Sequence, residues 1–241
     1  LRSSASSDGP ARPGLRPVLF TFRGHALHSY PVFLYLGGVV GTYAAAAAAP
    51  AGLGGRVALA TTLLIVPALV GSRLLYVATH LDAYLGRWEL ARRRSAGGGA
   101  MYGGLILALP LSIPLLRVLE VPFGVYWDAA LFTLLIGIAL TRVGCLLHGC
   151  CRGTRRVPTS VLEAAFACVL LAGAVALRGK GPFPGALFAG ALATYATGRF
   201  ALDFTRADRR RFGLTVAQAT SVCAVLAVVP VLLTVWISKG S

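Results

Sequence analysis

Apolar stretches about twenty residues long alternate with short clusters of Gly, Pro and Arg along most of the chain. The stretches fall at roughly 28–49, 57–79, 101–119, 125–148, 159–177, 183–204 and 212–237. A bilayer core about 30 Å thick takes about 20 helical residues to cross. Backbone groups in hydrocarbon must be satisfied within the segment, so each run reads as a helix and not as a lone strand. The breaks are Pro50 to Arg56, Gly86 to Gly99, Cys151 to Pro158 and Arg206 to Arg211. Pro67, Pro110, Pro114 and Pro230 fall inside runs, where neighbouring helices can satisfy the freed carbonyls. Small residues such as Ala44 to Ala49 allow close helix approach. The pattern predicts an all-α, polytopic membrane protein of about seven transmembrane helices. Residues 1–24, rich in Ser, Gly, Pro and Arg, read as a flexible basic arm and not a cleaved signal peptide. Residues 25–241 read as a single seven-helix domain, with no internal repeat.

Composition sharpens this picture. The chain is 56% hydrophobic and 13% charged, against about 25% charged residues in soluble domains. Its net charge is +15. Because the arginines punctuate apolar runs, the expected partners are the membrane and anionic lipid head groups, not nucleic acid.

Threading the runs back and forth sorts the polar residues. With the N-terminus on a side termed face A, odd-numbered runs leave that face and even-numbered runs return to it. His28 and Tyr30 then open the first run at face A, Arg73 lies in the face-A half of the second, and Tyr102, Gly103 and Gly104 open the third. Arg142 and Cys145 close the fourth, Glu163 lies one turn into the fifth, Arg199 and Asp203 end the sixth, and Gln218 lies early in the seventh. An arginine at mid-bilayer costs about 2.5–3.5 kcal/mol on insertion scales, so such residues pair or face a wet cavity. Snorkelling to the interface accounts for Arg117 or Arg178. It accounts less well for Arg142, Arg199, Asp203 and Glu163 at one depth. A polar cavity opening at face A, holding a phosphate-bearing head group in planar guanidinium forks, is the expectation.

Cys145, His148, Cys150 and Cys151 stand together in RVGCLLHGCCRG. Cys145 and His148 lie three apart on one helical face. Zinc sites usually pair two separated ligand clusters, and the sequence offers no second one. A reactive thiol near Arg142 and Arg152, a disulfide if face A is oxidising, and plain structural cysteines all stay open.

These segments together resemble the prolipoprotein diacylglyceryl transferases. ALHSY at 26–30 resembles that family's first-helix His-x-Tyr signature, and GSRLLY at 71–76 its Gly-Gly-Arg-x-x-Tyr run. GGGAMYGGL at 97–105 resembles its Gly-Gly-x-x-x-His-Gly-Gly-Leu loop, and RVGCLLHGCCRG at 142–153 its Arg-x-Gly-Asn-x-x-Asn-Gly-Glu signature. PTSVLE at 158–163, YATGRFALDFTR at 195–206 and LTVAQ at 214–218 resemble the remaining motifs, in the family's order. The resemblance implies a seven-helix enzyme of the bacterial plasma membrane. Such an enzyme moves the diacylglyceryl group of phosphatidylglycerol to a lipoprotein cysteine and releases glycerol phosphate. It implies that Arg142 and Arg199 hold the donor phosphate. It also implies that His28, Tyr30, Arg73, Gly103, Gly104, Gly149, Glu163, Tyr195, Arg206 and Gln218 line the lipid site. Asp203, at the family's Glu, would orient Arg199. No metal or organic cofactor is implied.

The sequence departs from the family at chemically important positions. Tyr102 stands where the family has His, and a phenol is a poor base near neutrality. Cys145 and His148 replace asparagines, and Cys150 replaces the signature's Glu. These are the remaining catalytic candidates, and a different acceptor, protein or small molecule, is the corresponding expectation. Two other functions remain open: a non-catalytic phospholipid binder or transporter, and a thiol-based membrane redox protein. The orientation is also open. Of the 23 Lys and Arg, 18 fall on face A and 5 on face B, so the positive-inside rule puts face A in the cytoplasm. The resemblance implies that it faces outward.

Overall fold

The computed structural model describes residues 18–22, 25–79, 81, 101–148, 159–204, 215 and 218–226. Among these are a two-stranded antiparallel hairpin, β1 (Val18–Phe22) and β2 (His25–His28), and six long helices. The helices are α1 (Ser29–Ala48), α2 (Gly54–Thr79), α3 (Met101–Val118), α4 (Phe123–His148), α5 (Thr159–Leu177) and α6 (Ala186–Asp203). Residues 218–226 are helical as well. The first five helices are long and apolar enough to cross a bilayer. The chain is a multi-pass membrane protein. α6 has 18 residues but carries Arg199, Asp203 and two threonines, which lower its mean hydropathy.

The strand Val18–Phe22 falls within the stretch 1–24 that the sequence presents as an arm. The signal was present: VLFTF and HALH flank Arg23-Gly24, an apolar, aromatic-rich pair of runs separated by a glycine-containing link. Val18 pairs with His28 and Phe22 with His25, so the hairpin delivers the chain directly into α1 at face A.

Helix contacts follow small residues, because lipid tails give no hydrophobic drive for helices to associate and close van der Waals packing must do so. α2 crosses α3 at Gly71 and Gly103. A Cβ on Gly71 would clash with the Gly103 carbonyl oxygen, and one on Gly103 with that of Gly71. Gly104 faces Ala68 on the same crossing. α1 packs along α4, where the Thr133 hydroxyl donates to the Gly41 carbonyl at 2.8 Å. Gly144 of α4 sits against the start of α1, its added Cβ 3.3 Å from the Tyr30 Cα. The buried core gathers Leu64, Leu116, Tyr126, Trp127, Leu135 and Phe188.

The far ends of the helices, at face B, are tied by short-range polar contacts. The Asp128 carboxylate accepts from the backbone N–H groups of Gly185 at 2.7 Å and Phe188 at 2.8 Å. An anion on otherwise unsatisfied donors at a helix start is favourable. Arg56 pairs with Glu120 at 3.0 Å, and Arg178 donates to the Ala47 carbonyl at 2.9 Å. These contacts fix the scaffold from below and leave the opposite end to the ionisable residues discussed next.

Candidate functional site

Glu163 is the centre of the face-A end. It lies in the second turn of α5 and is 1% exposed. Its Oε2 pairs with Nε of Arg142 on α4, and its Oε1 accepts from Nη1 of Arg199 on α6 at 2.6 Å. One carboxylate therefore joins three helices. Asp203 lies one turn beyond Arg199 on α6. Its Oδ1 is 3.7 Å from the same Nη1, and it too is 1% exposed. Burying an ion costs several kcal/mol unless partners repay it. Two arginines against two carboxylates make a formally neutral set. The sequence placed these four residues at one depth, and the structure brings them into contact.

The network continues into the seventh run. The Thr215 hydroxyl donates to Asp203 Oδ2 and accepts from the Gln218 N–H at 3.1 Å, while Gln218 Oε1 accepts from the Thr215 N–H at 3.0 Å. The Ala219 N–H then bonds the Thr215 carbonyl at 3.0 Å, closing the first helical turn. This is a capping box, Thr-x-x-Gln, with two orphan donors satisfied reciprocally. Gln218, expected to contact substrate, uses its side-chain oxygen as a cap. Tyr102 of α3 is buried and shares a 2.8 Å hydrogen bond with Ser221, two turns into the same segment from Thr215. Tyr195 of α6 is buried and stacks on Phe166 with ring centres 6.1 Å apart.

The histidines and cysteine form the neighbouring rim. His28 and His148 meet edge to face with ring centres 5.8 Å apart. Cys145 is buried one turn below His148 on α4, and Tyr30 is half-buried where α1 meets Gly144. Arg73 is near the ring of Tyr76 on its own helix, 5.7 Å from the ring centre. Gly103 and Gly104 lie at the close crossing with α2. Gly149, Cys150, Cys151, Arg152 and Arg206 lie outside the described residues. Sequence reading passed over Thr215 and Ser221. The Thr-x-x-Gln spacing would have shown Thr215, whereas Ser221 carries no local signal.

Chemically, the arrangement differs from bare arginines converging on an anionic ligand. The anion between Arg142 and Arg199 is Glu163. A phosphate at this end must share the guanidinium groups with that carboxylate. Arginine has five donors, and among the described residues Arg199 bonds the carboxylates through Nη1 alone. Four other buried atoms at this end have no hydrogen-bond partner among the described residues: His148 Nδ1, Thr159 Oγ1, Ser160 Oγ and Gln218 Nε2.

The family model described as prolipoprotein diacylglyceryl transferase matches residues 17–236 of the chain. Two curated proteins named phosphatidylglycerol–prolipoprotein diacylglyceryl transferase are also similar. That of Rhodopirellula baltica is 30% identical over 137 residues, covering 54% of this chain and 28% of the relative. That of Dehalococcoides mccartyi is 31% identical over 129 residues, covering 44% of this chain and 50% of the relative. The matched stretches thus span half or less of the relatives' own length.

Proposed function

The chain belongs to the prolipoprotein diacylglyceryl transferase family, and from that premise we propose that it transfers a diacylglyceryl group from phosphatidylglycerol, or a similar anionic phospholipid, to a thiol acceptor. Glycerol phosphate leaves. The reading includes a single domain of seven helices in a bacterial plasma membrane, with a polar lipid-head-group site at face A. The observation that carries it is Glu163 held jointly by Arg142 and Arg199, which concentrates two guanidinium groups at one buried point.

The electron bookkeeping favours guanidinium groups at that point. A thiol sulfur attacks the glyceryl carbon that bears the phosphate oxygen. The C–S bond forms, the C–O bond breaks, and the electron pair leaves on glycerol phosphate. A phosphodiester with one negative charge becomes a monoester approaching two. Arginine contacts therefore strengthen as the bond breaks, the condition for lowering the barrier and not merely binding substrate. The thiol proton leaves as sulfur attacks and passes to solvent, because a phosphate monoester with a second pKa of about 6 stays largely dianionic near neutral pH. Tyr102 bonds the seventh segment through Ser221.

The test is release of glycerol phosphate by the purified protein in vesicles containing phosphatidylglycerol and a cysteine-bearing lipoprotein-precursor peptide. Release that depends on the peptide thiol supports transfer. Stoichiometric lipid binding with no release would establish instead the non-catalytic lipid binder. Replacing Cys145, Cys150 and Cys151 all by Ser leaves lipid chemistry intact under this reading and abolishes function under the thiol redox reading.

A further inference from the structure

We infer that Thr215 is a positioning residue for the transfer, acting on Arg199 through Asp203; this rests on the transferase reading above. The polarity of its bonds is fixed by chemistry. The Gln218 N–H can only donate, so the Thr215 oxygen accepts from it at 3.1 Å. A carboxylate can only accept, so the single hydroxyl proton points at Asp203 Oδ2. The backbone N–H of Thr215 is meanwhile held by Gln218 Oε1 at 3.0 Å. Thr215, Asp203 and Gln218 are all 5% exposed or less, so water does not readily substitute for any of these bonds.

The consequence falls on Arg199. Asp203 presents one oxygen to Thr215 and the other toward Arg199 Nη1. That hydrogen bond pins the rotation of the carboxyl group, which sets the direction in which Asp203 pulls the guanidinium. Arg199 is meanwhile pulled toward Glu163 by a 2.6 Å contact. The guanidinium thus sits between two carboxylates, and the Thr215 hydroxyl immobilises the second. Because the segment's capping box and the Asp203 contact share one hydroxyl group, the start of the seventh run and the aim of Arg199 are set together.

A purely structural role for Thr215 predicts something different from a positioning role, and three variants separate them. Thr215→Ser keeps the hydroxyl, Thr215→Val keeps the shape without it, and Thr215→Gly keeps a good N-cap residue without it. Each is compared with wild type for glycerol phosphate release from phosphatidylglycerol vesicles and for thermal unfolding in detergent. The inference predicts that Val and Gly each lower kcat about tenfold with KM for lipid nearly unchanged, and that Ser restores most of the rate. Gly at wild-type kcat, with losses in Val that track its unfolding temperature, reduces Thr215 to a cap and overturns the inference. Full activity in both variants overturns it as well. A wild-type protein that releases nothing fails at the earlier step: it ends the transferase reading, and this inference with it.

Discussion

Glu163 stands where two guanidinium groups would otherwise repel each other. Removing one member of a buried ion set leaves its partners uncompensated, a loss of about 3–5 kcal/mol. Glu163→Leu should therefore lower the thermal unfolding temperature sharply in detergent, and Glu163→Gln should do so less, since the amide oxygen still accepts from Arg199. An unfolding temperature unchanged in Glu163→Leu would mean that the arginines are solvated and that the network carries no load. Much of this cluster was legible from residue type and span alternation. Arg142, Glu163, Arg199 and Asp203 sit at the same ends of successive helices in the sequence. What the sequence withheld was partnership, because the rotation of each helix about its axis decides which carboxylate meets which guanidinium. Gln218 shows the reverse case. The Thr-x-x-Gln pattern identifies a cap on its own, but the resemblance to a functional motif drew attention to the glutamine in place of the threonine.

At the scale of elements, the helices were readable because twenty apolar residues in a row have few alternatives in lipid. α5 occupies the predicted stretch, and α3 and α4 differ from theirs by one or two residues at an end. The hairpin was hidden by the polar character of the residues before it, which drew the whole N-terminal segment into one reading. The motif that the glycines of α3 resemble implies a pocket, and the same glycines make the α2 crossing. The distance between α2 and α3 backbones is a tertiary quantity, and only the structure reveals that Gly71 and Gly103 meet. Forcing a large side chain into a packed crossing costs about 1–3 kcal/mol. Gly103→Leu should lower the unfolding temperature, while Gly38→Leu, whose added Cβ has no neighbour within 4 Å, should leave it unchanged. Equal behaviour of the two variants in thermal unfolding would contradict the close α2–α3 crossing.

At the scale of the whole molecule, polarity divides the protein into two ends. Face B holds the contacts of Arg56, Glu120, Asp128 and Arg178, which tie helices and turns together. Face A holds the network shared by α4, α5, α6 and the segment beginning at Thr215. The charge bias of 18 basic residues to 5 predicts face A in the cytoplasm. Glu120 lies in the exposed turn between α3 and α4 at face B. In intact cells a membrane-impermeant maleimide should therefore label Glu120→Cys. Labelling only after permeabilisation would put face A outside, the side an exported lipoprotein acceptor requires. The central claim is that Arg142 and Arg199 stabilise the charge arriving on a departing phosphate, and side-by-side kinetics of Arg142→Ala, Arg199→Ala and wild type test it most directly. With phosphatidylglycerol and a thiol acceptor, each variant should lose about 10²–10³ in kcat for glycerol phosphate release, whereas wild-type rates in both, from correctly folded protein, would contradict it.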